Sequence, residues 1–202
     1  MKYTFTTTPV ITPLLRCITN IILKIIGWKK AGQMPDIRQC VIIAAHHTSM
    51  LDGFIGALYV TSFGTSYRAS WIGKKELFRW PFRTFLRWLG GIPLDRDRSS
   101  DTVRQAAALF KEYESLWLLV IPEGTRKKTE YWKTGFYHIA REAGVPIVCI
   151  FGDYKRKEAG FGPVLDPQKM DIDEVFDALR EFYRDRTARY PDQVGPVRRK
   201  PD

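Results

Sequence analysis

The chain is poor in the residues on which most hydrolytic and metal-dependent chemistry rests. Its 202 residues include three cysteines, Cys17, Cys40 and Cys149, too far apart for any metal-ligand spacing. Such sparse use is that of a reducing compartment. Only three histidines occur, and the adjacent pair His46 and His47 has no Glu or His at zincin spacing, so no metal site is expected. A Gly-x-Ser-x-Gly elbow is missing, and with it any obvious protein nucleophile. So is the Gly-x4-Gly-Lys-Ser/Thr loop, which leaves nucleotide hydrolysis without support. The start Met1-Lys2-Tyr3-Thr4 lacks a signal-peptide layout, and 27% charged residues argue against a polytopic membrane protein. A cytoplasmic location is the expectation.

What the chain has is positive charge, unevenly placed. The net charge is +10. Residues 1–40 hold six basic residues against Asp36 alone, and residues 66–98 hold eight against Glu76, Asp95 and Asp97. These two segments account for the whole excess. Both are also rich in large apolar residues, a mixture that suits an anionic membrane surface. Nucleic-acid binding would use the same charge, but no nucleic-acid motif accompanies it, and no nucleic-acid partner is expected.

Residues 10–28 read as an amphipathic helix. Ile11, Leu14, Leu15, Ile18, Ile22, Ile25 and Ile26 recur at three- and four-residue steps, with Arg16, Asn20 and Lys24 opposite. The stretch is long enough to span a bilayer, but Arg16 and Lys24 would each cost roughly 2.5–3.5 kcal/mol at its centre. A helix lying in the interface avoids that cost; a helix packed on the core fits the same periodicity.

Apolar runs at residues 41–45, 116–121 and 146–151 read as buried strands. They alternate with helical patterns at 53–60, 100–114, 132–143 and 172–184. Gly90 to Arg96 reads as a turn and a short strand. The expected fold is therefore α/β: a single-domain layered fold with a mostly parallel or mixed central sheet flanked by helices, preceded by the N-terminal amphipathic helix. From Pro191 the composition is that of a loose tail.

Two motifs carry chemistry. His47-Thr48-Ser49-Met50-Leu51-Asp52 supplies a base with a carboxylate five positions away. Histidine is the side chain best poised to take a proton at neutral pH, and a carboxylate at its other ring nitrogen would fix the tautomer and stabilise the imidazolium. In a regular helix the two would sit ~140° apart, so they meet only across a strand-to-helix turn. With no protein nucleophile in view, the attacking hydroxyl is assigned to a substrate. The second motif, Glu123-Gly124-Thr125-Arg126, follows a buried strand, where α/β sheets present ligand-binding loops. Gly124 admits a close backbone approach and Arg126 offers a planar fork for phosphate. Taken alone, this loop is equally an ordinary turn with an exposed arginine, and Arg96 is equally a surface residue.

In order and spacing the motifs resemble the glycerolipid acyltransferase family, whose best-known members are the lysophosphatidic acid (1-acylglycerol-3-phosphate) acyltransferases. Four blocks carry the resemblance over residues 40–155: His46-His47-x4-Asp52, Gly91-Ile92-Pro93-Leu94-Asp95-Arg96, Pro122-Glu123-Gly124-Thr125-Arg126 and Val145-Pro146-Ile147-Val148. His46 stands where Asn is commoner, Pro93 where an aromatic is frequent, and Cys149 in place of the usual final Pro.

The resemblance implies a fatty acyl transfer from acyl-CoA or acyl carrier protein, as co-substrate, to a lysophospholipid hydroxyl, with no cofactor. The first acceptor is 1-acyl-glycerol 3-phosphate, giving phosphatidic acid. Lyso-ornithine lipid and glycerol 3-phosphate are alternatives, and a hydrolase or a non-enzymatic anionic-lipid or nucleic-acid binding module are more distant ones. It implies His47 and Asp52 as catalytic residues, Arg96, Glu123, Gly124, Thr125 and Arg126 as the acceptor clamp, and Lys133 as a further contact. The corresponding organisation is a membrane-interface helix in 1–30, an acyltransferase domain in 31–190 and a flexible tail in 191–202, held peripherally on the inner face of the membrane.

Overall fold

A computed structural model describes residues 4, 8, 11–64, 69–94 and 99–201, with the side chains of 99–100 left out. Among the described residues seven strands form one sheet: β1 (Lys29–Ala31), β2 (Gln39–Ala44), β3 (Ala69–Lys74), β4 (Gly91–Leu94), β5 (Leu116–Val120), β6 (Ile147–Asp153) and β7 (Glu158–Leu165). Their order is β1-β7-β6-β2-β5-β3-β4. Every neighbouring pair is parallel except β6 with β7, so the sheet is mixed. The helices are α1 (Ile11–Ile25), α2 (Met50–Phe63), α3 (Arg83–Trp88), α4 (Ser99–Glu112), α5 (Gly135–Ala143) and α6 (Ile172–Tyr183).

The apolar runs become the sheet centre because each of their faces is covered. Val41 and Ile43 of β2, Leu116 and Leu118 of β5, and Ile147 and Cys149 of β6 enter the main core with α4, α5 and α6. Their alternate neighbours Cys40, Ile42, Trp117 and Val148 enter a thinner cluster closed by Phe161, Met34 and Phe63. Strands buried on both sides read as continuous apolar runs rather than as alternation. The α5 pattern stops where expected, at Gly144 with φ +69°, the left-handed position that glycine adopts without strain.

The N-terminal helix packs on α2, but shallowly: only Thr19 and Leu23 of α1 are buried. Its apolar stripe faces outward, with Leu14 61% and Ile25 77% exposed. No helix among the described residues is long and apolar enough to cross a membrane.

The segment from Pro191, which composition predicts to be a flexible tail, is instead tied to the domain. The Trp132 N–H donates to the Arg198 carbonyl at 2.8 Å, and Trp132 pairs with Arg199 as a short parallel bridge. Arg198 pairs with Glu130 at 2.8 Å and Arg199 with Asp173 at 2.7 Å. Backbone hydrogen bonds and ion pairs seat this segment, with Val197 its apolar contact to the core, and backbone bonds leave no compositional mark.

Candidate active site

Three adjacent parallel strands, β6, β2 and β5, run in one direction and release their chains at the same edge of the sheet. In such sheets the carboxyl ends are where loops converge on a ligand. β2 releases His46 and His47, β5 releases Pro122 to Arg126, and β6 releases Tyr154. Motifs more than seventy residues apart thus meet because of parallel pairing.

His47 and Asp52 meet across a turn, as the spacing requires, and the turn has a specific form. Ser49 caps α2, its hydroxyl accepting from the Leu51 N–H at 3.1 Å. Asp52, three residues on, reaches back as the other half of the capping box. Its Oδ2 accepts from the Thr48 N–H at 2.6 Å and the Ser49 N–H at 2.7 Å. The same oxygen lies 3.6 Å from His47 Nδ1. That is an ion-pair distance rather than a hydrogen bond, in keeping with an oxygen already serving two backbone donors. The Ser49-x-x-Asp52 pattern, not singled out in the sequence, encodes this geometry.

A residue outside every motif completes the group. The Tyr154 hydroxyl donates to Asp52 Oδ1 at 2.6 Å. Burial, followed by the hydrogen bond to Asp52 and its negative charge, pushes this hydroxyl well above the ordinary tyrosine value, so it keeps its proton through the neutral range.

Glu123 does not act as the motif suggests. Its side chain is buried, and Oε2 accepts from the His47 N–H at 3.0 Å. Oε1 lies 3.5 Å from Nδ1 of His46, itself packed between Trp132 and Tyr183. Glu123 therefore anchors the His47 loop to the β5 loop from behind and contributes no surface to the groove. A carboxylate buried there is held by the backbone N–H it accepts.

Its neighbours face the other way. Gly124, Thr125 and Arg126 line a groove of about 1820 Å³ that also includes His47 and Lys133. Gly124 has φ +65°, and a β-carbon there would stand 2.8 Å from Lys133 Nζ. The missing side chain brings Lys133 over the loop, while the Lys133 N–H fixes its backbone to the Pro122 carbonyl at 2.8 Å. Arg104 of α4, not singled out in the sequence, adds a further cation to the wall, and Trp71, Ile72, Leu119 and Val120 give an apolar stretch. Arg96 lies outside the described residues. The C-terminal segment braces both loops: the Tyr190 N–H donates to Thr48 Oγ1 at 3.2 Å. With its amide nitrogen turned toward two carbonyls, Gln193 donates to Thr48 at 3.2 Å and to Arg126 at 2.7 Å.

Cysteine chemistry has no place here. Cys40 and Cys149 are buried; burial raises the Cys40 thiol far above its usual value and pushes Cys149 up to about 12. Thiols so placed are inert.

Residues 29–151, more than half of the chain, match the family model described as Acyltransferase. The 1-acyl-sn-glycerol-3-phosphate acyltransferase of Haemophilus influenzae is 38% identical over 86 residues, covering 39% of this chain and 35% of that protein. Its counterpart in Escherichia coli K12 is 38% identical over 87 residues with the same coverages. The chain thus spans about a third of the length of these curated relatives. Among solved structures, the LPA acyltransferase PlsC of Thermotoga maritima superposes with a TM-score of 0.58 at 18% identity, over 85% of this chain and 76% of that one. That likeness concerns the fold.

Proposed function

Because the chain belongs to the Acyltransferase family, we propose that it moves a fatty acyl group from a thioester, acyl-CoA or acyl carrier protein, to the free hydroxyl of a lysophospholipid. The names of its relatives support 1-acyl-glycerol 3-phosphate as that acceptor, with phosphatidic acid as product. The observation that carries the reading is the shared groove: His47, backed by Asp52, opens on the same cleft as Arg126 and Lys133. With Nδ1 turned to Asp52, Nε2 is the nitrogen free to take a proton.

In the proposed reaction His47 removes the acceptor's hydroxyl proton as the oxygen attacks the thioester carbonyl. The tetrahedral adduct collapses with cleavage of the carbon–sulfur bond, and the imidazolium returns its proton to the departing thiolate. Asp52 offsets the transient positive charge. Arg126 and Lys133 hold the acceptor's phosphate, Arg126 through its two-pronged donor face. Holding both substrates in one cleft can lower the barrier by up to ~7–11 kcal/mol, and base assistance adds ~10²–10⁴-fold.

The outward apolar stripe of α1, with Trp80 91% and Phe82 64% exposed beside the basic residues of that segment, supports a peripheral seat on an anionic membrane. That position favours a membrane-resident acceptor over water-soluble glycerol 3-phosphate.

The test is thiol release from palmitoyl-CoA with and without lysophosphatidic acid, for wild type and His47→Ala. Release that needs both the acceptor and His47 supports transfer. Release without acceptor identifies a hydrolase. A folded His47→Ala protein within threefold of wild type removes the base assignment.

A further inference from the structure

The structure assigns to Tyr154 the role of positioning residue for the His47 base, acting through Asp52. This assignment rests on the transfer reading above.

Asp52 has two oxygens with different duties. Oδ2 serves the Thr48 and Ser49 N–H groups and faces His47. Oδ1 accepts from the Tyr154 hydroxyl at 2.6 Å. The backbone donors fix one oxygen, and the tyrosine fixes the rotation of the carboxylate about its bond to the chain. Without that donor Oδ1 loses its side-chain tether, and the oxygen facing Nδ1 is free to swing.

The hydroxyl is itself held rigidly. The Tyr154 N–H donates to the Thr187 carbonyl at 2.9 Å. Its ring meets Trp28, which follows α1, edge-on at 5.0 Å between centroids. The Arg189 guanidinium lies 5.9 Å from the ring centre and interacts with the hydroxyl itself. Three other parts of the chain therefore converge on this tyrosine at the end of β6: the α1–β1 connection, the segment after α6 and the first turn of α2. The ion pair between Asp153 and Arg156, at 2.7 Å, engages the preceding residue. Behind His47 stand Glu123 and His46. Asp52 and Arg189 face the tyrosine, Tyr183 packs behind on His46, and Arg126 and Lys133 line the groove on which His47 opens.

The bond also has an electrostatic sign. A donor on Oδ1 draws negative charge from the carboxylate, so that less of it favours the imidazolium. Removing the donor changes both the charge on that carboxylate and its hold on the imidazole.

Tyr154→Phe removes the donor and keeps the ring against Trp28 and Arg189. The expected result is about a tenfold fall in kcat, in line with losing one charge-assisted hydrogen bond, with both KM values within twofold. The acid limb of the kcat/KM profile is displaced as well. In an Asp52→Asn background the same substitution has no further effect, since contacts acting through one group are not additive. Wild-type kcat and pH profile in Tyr154→Phe, or equal losses with and without the Asp52 carboxylate, overturn the assignment. An NMR titration of the His47 ring protons needs no substrate and separates this from the reaction itself. A displaced titration in Tyr154→Phe upholds the Tyr154–Asp52–His47 coupling even if wild-type protein releases no thiol, a result that would sink transfer alone. An unmoved titration alongside normal wild-type transfer sinks the coupling alone.

Discussion

The carboxyl edge of β6, β2 and β5 and the outer surface of α1 with residues 77–85 treat their side chains in opposite ways. At the sheet edge the carboxylates of the motif residues are engaged: both oxygens of Asp52 accept, and Glu123 is buried against the His47 backbone. On the outer surface large apolar groups are left to solvent, among them Leu14, Ile25, Trp80 and Phe85. A patch of this kind is not a folding defect, because exposed apolar clusters rimmed by charge mark contact surfaces. On the proposed function, the difference separates fixing a proton-transfer geometry, which needs engaged carboxylates, from reaching a lipid, which needs surface free to leave water.

Breaking the ordered side should have the largest effect. Glu123→Ala leaves the buried His47 N–H without its acceptor and opens a void behind both loops. It is expected to cost about 1–3 kcal/mol of stability and most of the activity, read by denaturant unfolding alongside thiol release. Undiminished stability would mean that the two loops are joined by something other than this carboxylate. Arg126→Ala sharpens the contrast within a single motif, since Arg126 faces the groove and its neighbour Glu123 does not. The acceptor KM should rise about tenfold with little change in stability or in the donor KM. Equal rises for donor and acceptor would argue against a head-group clamp. The smallest effect on the fold should come from the exposed side. Leu14→Asp combined with Ile21→Asp is expected to leave the melting temperature within about 1–2 °C. It should also reduce binding to anionic vesicles at least tenfold. Vesicle binding that survives both changes would move the contact surface away from α1.

The central strands and the flanking helices were legible because burial on two faces and amphipathic periodicity both mark the sequence. β7 was not, for a physical reason. Gly160 lies where a β-carbon would collide with the Ala31 carbonyl of β1, and Gly162 lies against the Phe182 ring. The strand needs glycine for close approach, and glycine erases the strand signal. The three-residue β1 is too short to read. At the site, His47, Asp52 and the Arg126 loop were visible as spacing. The inward turn of Glu123 was not, since a motif orders residues without saying which way each one points. Tyr154 lay beyond the last block, and Gln193 sat in a segment whose composition suggested nothing.

Asp52 holds two positions in the molecule at once: the third residue of α2 and the carboxylate behind the base. The first turn of that helix and the working arrangement of the imidazole therefore form as one event. Helix ends open far more readily than whole domains, and here such an opening separates Asp52 from His47 and, on the proposed function, dismantles the proton relay while the sheet stays intact. Hydrogen exchange at the Thr48 and Ser49 amides would thus report the fraction of molecules competent for chemistry, and mild denaturant should silence the protein before it unfolds it.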